Sequence, residues 1–320
     1  MNPAPEAADA RHARASTRNP RLREAADALA ANRLAEAEQR LRAHLHGAPT
    51  DVAAMRMLAE VAARAGRLDV AEDLLARALE LAPGFRAARQ NRAVVLMRND
   101  KPEQALAEIE HLLAGDPHSA GLRNLKAIVC GHLGEYDTAI ALYAGLLDEY
   151  PERATLWLAY GHALRIAGRS AESIAAYRRC IALEPGLGEA WWSLANLKTL
   201  RFTAADIDAM RAELARSDLG EEHRLHFEFA LGKALEDRAD YAGSFRHYAA
   251  GNRLRRRAVP YDATAATGRT RRAIATFTRE FFAARAGWGC PAADPIFVVG
   301  LPRSGSTLVE QILSSHSAVE

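Results

Sequence analysis

Small apolar residues return along this chain at a fixed interval. Ala25, Ala59, Ala93, Ala127 and Gly161 stand 34 residues apart, and Ala37, Ala71, Ala105, Ala139 and Ser173 repeat the interval 12 positions further on. Four residues beyond each member of the second series comes a larger side chain: Leu41, Leu75, Ile109, Tyr143 and Tyr177. Pro49, Pro83, Pro117, Pro151 and Pro185 keep the same spacing. A separation of four places the small and the large residue on one helical face, so each unit predicts two short antiparallel helices. Their backbones approach at the small residues, and the larger one projects into the gap. Proline ends the second helix, because it has no amide donor and clashes with the preceding turn.

The units at 18–51, 52–85, 86–119, 120–153 and 154–187 resemble the tetratricopeptide repeat (TPR), most fully at Trp157, Tyr160, Gly161, Leu164, Tyr177 and Pro185. Two degenerate units follow. Residues 188–221 open with Trp191, Leu194 and Ala195 but put Ile207 at the second small position, and residues 222–256 restore Leu231, Gly232, Ser244 and Tyr248. Stacked repeats bury a continuous core and leave a concave groove lined by first helices; the resemblance implies a protein or peptide partner there. Gln90, Asn124, His162 and Arg165 fall at groove positions and are read as solvated helix faces. The Trp191 and Trp192 pair is read as packing between repeats.

Composition narrows the remaining classes. With 49% hydrophobic and 26% charged residues, the chain has the make-up of a globular protein. A net charge of +2 gives no basic excess for nucleic acid. No segment supplies the long apolar run of a membrane span or secretion signal, so a cytoplasmic location is expected. Residues 1–17 are polar and expected to be disordered. Cys130, Cys180 and Cys290 have no paired or metal-ligand spacing and are read as reduced thiols. No metal site is expected.

Charge concentrates later. Between positions 251 and 290 nine arginines face two acids, Asp262 and Glu280, a local net of +7. A helix over about 270–285, burying Ile274, Phe277 and Phe281 with arginines outward, accounts for this stretch without a ligand. A basic collar that concentrates an anionic ligand is the alternative.

Beyond it, residues 297–308 read FVVGLPRSGSTL. The apolar run 296–299 predicts a buried parallel strand, residues 300–306 a tight loop, and Thr307 the start of a helix with Leu308, Val309, Ile312 and Leu313 on its apolar face. Strand, glycine loop and helix start together make an anion site, since free amides and the positive helix end converge on one point. Ser306 stands where a nucleotide triphosphatase carries lysine. Arg303 supplies the positive charge instead, which suits a monophosphate-type anion held without metal.

This stretch closely resembles the 5'-phosphosulfate loop of sulfotransferases of the tyrosylprotein kind, its PRSGTT signature matched by Pro302, Arg303, Ser304, Gly305, Ser306 and Thr307. Serine at 306 is the single departure and keeps a hydroxyl. Together with the repeats, it is similar to bacterial TPR sulfotransferases. The resemblance implies sulfuryl transfer from 3'-phosphoadenylyl sulfate to a hydroxyl, with protein tyrosine the acceptor it suggests. Those six residues would bind the donor, and Arg303 would also act catalytically on the departing phosphate. It places the general base a few residues beyond Glu320; Glu310 and Glu320 are acids nearer at hand and are not read as that base.

The expected fold is mainly α: a TPR α-solenoid over 18–256, a basic helical linker over 257–293, and over 294–320 the first strand, loop and helix of an incomplete P-loop-like α/β sulfotransferase domain. These 320 residues alone are expected to be inactive. An interaction scaffold without activity and an altered P-loop nucleotide enzyme are the competing readings.

Overall fold

The computed structural model describes residues 19–197, 199–259, 261–289, 292, 294–301 and 304–319. Segment 1–17, Cys290, Pro302, Arg303 and Glu320 lie outside the described residues. Those described are almost all helical, and no strand occurs among them. The chain divides into two units, residues 1–257 and 258–320.

The first unit is seven helix pairs. They are α1 (Pro20–Ala30) with α2 (Leu34–Gly47), α3 (Val52–Arg64) with α4 (Leu68–Leu81), α5 (Arg86–Arg98) with α6 (Pro102–Gly115), α7 (Ala120–Leu133) with α8 (Tyr136–Glu149), α9 (Ala154–Ile166) with α10 (Ser170–Leu183), α11 (Gly188–Ala195) with α12 (Ala204–Leu214), and α13 (Glu221–Glu236) with α14 (Tyr241–Ala258). From α1 to α11 each helix packs on the next. This is a TPR solenoid.

Within a pair, the small and large positions meet as the spacing predicts. All five residues of the first small series are buried, and Leu41, Leu75, Ile109 and Tyr177 have no exposed surface. A Cβ built on Gly161 would stand 2.6 Å from the Tyr177 ring, and one on Gly232 would stand 2.7 Å from the Tyr248 ring. Hydrogen fits at these positions and a methyl group does not. Ser173 Oγ ties the pair further by donating to the Gly161 carbonyl at 3.0 Å.

Two further devices repeat with the same period. The turn inside each of the first five pairs passes through a left-handed residue: Asn32, Gly66, Asp100, Gly134 and Gly168, and Ala239 does so in the seventh. The following N–H then reaches back five residues, as in Arg67 to Ala62 (2.9 Å) and Asp240 to Leu235 (3.0 Å), satisfying a helix-end carbonyl. Between repeats, one first-helix position caps the preceding turn. Arg89 donates to the Pro83 carbonyl, Trp157 to Pro151 and Trp191 to Pro185, at 3.1, 2.8 and 3.0 Å. The expected packing role of Trp191 holds, with its ring 6.1 Å from Phe202 and 6.3 Å from Phe227.

The sixth pair departs from the pattern. Helix α11 has only eight residues, and α12 opens after an irregular segment on a reciprocal cap between Thr203 and Asp206. Ile207, too large for a close helix approach, is buried there. The first helix of this repeat instead packs directly on α13, where a Cβ on Gly188 would meet the His223 carbonyl oxygen at 2.4 Å.

The second unit corrects two expectations. The helix expected over 270–285 is two helices, α15 (Ala263–Thr276) and α16 (Arg279–Ala283). Thr278 interrupts it by accepting the Phe281 amide at 3.2 Å, a cap that starts a new helix. Neither helix buries a residue. Phe277, Phe281 and Phe282 pack on one another, and Arg285 lies 3.7 Å over the Phe281 ring. The apolar run 296–299 forms no strand and is exposed, Val299 by 92%. A parallel strand requires neighbours for its backbone groups and both its faces, and the described residues supply none. The last helix, α17 (Ser306–Ser314), begins one residue before the expected Thr307.

Two predictions follow from these contacts. Gly161→Ala and Gly188→Ala should each cost about 1–3 kcal/mol, the range of overpacking. Gly188→Ala should cost more, because its obstacle is backbone and the Tyr177 ring can move. Equal stability of both variants and the parent in urea titrations would contradict this. Ala239→Gly should raise stability by about 0.5–1 kcal/mol by relieving its φ of 61°, measured by the same titration.

Candidate functional site

In the second unit the chain leaves residues 295–300 and turns into α17. Gly305, the residue before the helix, has φ 91°, a conformation that costs residues with a Cβ about 1–2 kcal/mol. A Cβ on Gly300 would stand 2.6 Å from Ser304 Oγ, so a side chain there would require that hydroxyl to turn away. The turn closes by Ser304 N–H donating to the Leu301 carbonyl at 3.1 Å, and the Gly305 carbonyl accepts from Leu308 and Val309.

The amides of Gly305, Ser306 and Thr307 donate to no described residue, and α17 carries no side-chain cap. These are the unsatisfied donors at the positive end of a helix. Ser306 is half-buried beside them, while Ser304 and Thr307 are exposed. The structure therefore brings four of the six sequence-identified residues into one turn. Pro302 and Arg303 lie outside the described residues. Glu310 lines a different feature, an open cleft of about 720 Å³ shared with Asp294, Ile296 and Leu313 and none of the turn residues.

In the repeat unit, clefts open along the first helices of the fourth and fifth pairs. One, about 240 Å³, is lined by Asn124, Ile128, Arg153, Thr155 and Leu156; the next, about 460 Å³, by Gly131, Tyr143, His162 and Ile166, with Ile128 and Ala159 common to both. Ile128 and Ala159 thus make a continuous apolar floor between α7 and α9. A Cβ on Gly121 or Gly131 would meet nothing within 4 Å, so these glycines leave open room in the cleft.

The groove expectation needs correction at two of its four residues. Gln90 and Arg165 are exposed as read, but Asn124 and His162 are half-buried cleft residues. His162 Nδ1 lies 2.8 Å from the Tyr177 hydroxyl and its Nε2 lies 3.3 Å from Glu189. Sequence reading missed that a single imidazole joins the helix-pairing ring to the next repeat. The signal was the Tyr177 hydroxyl, a buried polar atom that requires a partner. Burial holds His162 below the ordinary histidine range against the pull of Glu189, and His226 likewise. Cys130 and Cys180 are buried and free, the Cys180 thiol pushed up to about 12 by desolvation. Among the described residues no group of three His, Cys, Asp or Glu is placed to hold a metal ion, and no helix is long and apolar enough to cross a membrane.

Comparison with known proteins agrees with the repeat architecture. The tetratricopeptide repeat family matches at residues 62–129, and a second family of the same description at 22–84 and 132–188. The sulfotransferase family matches at residues 295–320. An uncharacterized protein of Aquifex aeolicus (strain VF5) is 32% identical over 158 residues, 49% of this chain and 20% of that protein. The chain thus spans about a fifth of the length of this curated relative. A tetratricopeptide repeat protein from Parabacteroides merdae ATCC 43184 superposes with TM-score 0.55 at 16% identity, covering 78% of this chain and 95% of that one. MamA from Desulfovibrio magneticus RS-1 gives TM-score 0.48 at 17% identity, over 52% and 93% of the two chains. Residues 22–188 carry TPR repeats, and the fold they define is that of a protein-interaction domain.

The two depressed histidines give stability a pH dependence. Unfolded chain takes up protons near pH 6.5, while the folded form resists protonation until lower pH, so stability falls as pH drops below 6.5. The melting midpoint should decline between pH 7 and pH 5, and the His162→Gln, His226→Gln double variant should decline less. An unchanged slope in the double variant would contradict this assignment.

Proposed function

We propose that this chain contributes the partner-binding repeats and the donor-gripping turn of a sulfotransferase. The reaction is sulfuryl transfer from 3'-phosphoadenylyl sulfate to a hydroxyl, with protein tyrosine the acceptor favoured by the resemblance and the repeats. The observation that carries this reading is the turn at Gly305, whose amides have no partner among the described residues and open α17 within residues matched by the sulfotransferase family.

The turn's parts have separate roles. Gly300 and Gly305 let the backbone fold tightly enough to aim Ser306 and Thr307 amides at one anion. The hydroxyls of Ser304, Ser306 and Thr307 add donors, and Arg303 adds a planar cation. In transfer, the acceptor oxygen attacks sulfur and the bond from sulfur to the phosphate oxygen breaks. Negative charge then grows on the departing phosphate of adenosine 3',5'-bisphosphate. Donors fixed in advance at that oxygen lower the barrier, and holding donor and acceptor in line supplies the rest. The acceptor proton goes to a base, which these six residues do not include. The repeats would hold the protein acceptor, or a partner that delivers it, in the groove along α7 and α9.

The interaction-scaffold reading draws on the exposed run 296–299, which no sheet covers among the described residues. Calorimetry separates the two. The protein expressed in its native reading frame should bind adenosine 3',5'-bisphosphate in the presence of EDTA. Arg303→Ala should weaken that binding by about 1.5–3 kcal/mol, the scale of a charged hydrogen bond. Binding that is equal in wild type and variant, or absent from both, would leave the scaffold. Magnesium-dependent ATP binding would favour a nucleotide enzyme.

A further inference from the structure

The last helix of the repeat stack exposes apolar residues on a face that the fifth pair covers at Ile174 and Ile181. Gly232, Ala239, Ser244 and Tyr248 of the seventh pair stand 71 positions after Gly161, Gly168, Ser173 and Tyr177 of the fifth. The equivalence is structural: both glycines abut their tyrosine ring, both serines are buried, and Gly168 and Ala239 both take the left-handed turn. In the same register Phe245 corresponds to Ile174, Tyr241 to Ser170 and Asn252 to Ile181. Ile181 is 9% exposed, and Ile174 packs beside it on a core shared with α11 and α13. Phe245 is 73% exposed and Tyr241 69%. One turn apart on α14, they form an apolar strip with no ring contact between them or to another aromatic residue among those described.

Charge specifies what fits there. Helix α14 contains Arg246, Arg253, Arg255, Arg256 and Arg257 and no acid. Arg246 and Arg253, three residues before and four after Ala249, form an exposed basic row beside the aromatic strip, and neither has an ion-pair partner among the described residues. Its C-terminal turn also carries the negative end of the helix dipole, which three consecutive arginines more than offset. In the fifth pair this face of the second helix receives α11, in a core shared with α13. We infer that the Tyr241–Phe245 face of α14 is a docking seat for an acidic amphipathic helix of a partner protein, apolar residues on the aromatic strip and carboxylates on Arg246 and Arg253. The partner would continue the helical stack by one layer. The inference is independent of the sulfotransferase reading, since it uses no residue of the second unit.

The test uses the full chain and a fluorescein-labelled peptide of about 16 residues, built from Leu, Ala and Glu with the leucines on one helical face. A scrambled peptide of equal composition is the control. Anisotropy should show the amphipathic peptide binding about tenfold or more tightly than the scrambled one. Phe245→Ala should remove most of that difference, and Arg253→Glu should weaken binding and flatten its salt dependence. Both positions are exposed, so circular dichroism should show the variants folded. Equal binding of the two peptides, no binding of either, or indifference to Phe245→Ala would overturn the inference. Two other results would also overturn it: Phe245-dependent dimerisation of the chain, which would make a second copy the occupant, or Phe245-dependent binding to phosphatidylserine vesicles in preference to the peptide.

Discussion

Everything in the repeat unit depends on how closely two helices approach within a pair. At Gly161 there is room for a hydrogen and no more, because the Tyr177 ring occupies the place a methyl would take. The approach fixes the pair, the left-handed turn fixes its hand-over to the second helix, and the arginine or tryptophan cap fixes the next pair upon it. Each contact is local in sequence, and stability then accumulates along the stack as a sum of repeats and neighbouring interfaces. The groove exists because this arrangement places first helices side by side, with Gly121, Gly131 and Ala159 too small to fill the space between them.

The repeats were legible because their determinants are steric and recur at 34 residues: small, small, large, proline. The left-handed turn recurs just as strictly, yet escapes a reading by residue identity, since Asn32, Gly66, Asp100, Gly134 and Gly168 reach one conformation with three residue types. Helix α15 and the strand run failed for opposite reasons. Thr278 competes locally for the Phe281 amide and ends the helical pattern early. The run at 296–299 has strand composition, but composition cannot provide the adjacent strands on which pairing depends. The turn at 304–307 was legible because the positive φ of Gly305 favours glycine. His162 was not, because its role arises from a contact 15 residues away with a hydroxyl that spacing alone does not aim.

The two units present complementary chemistry. The first is a helical array with apolar clefts along α7 and α9, and in the second the amides that open α17 have no partner among the described residues. The proposed sulfuryl transfer to a protein hydroxyl would use both: recognition spread over many residues for the acceptor, and a few fixed donors for the activated sulfate. On the proposed reading, the turn would supply grip on a phosphate and relief of charge as the bond to sulfur breaks. It contains no proton acceptor, which separates the binding chemistry assigned here from the full catalytic act.

Hydrogen exchange at the turn bears on this account most directly. In the protein expressed in its native reading frame, saturation with 3'-phosphoadenylyl sulfate should slow exchange of the Gly305, Ser306 and Thr307 amides, which now have no described partner, while leaving the α7 and α9 amides unchanged. Unaltered exchange across residues 300–310 under saturating donor would contradict the assignment of this turn as the sulfate donor's grip.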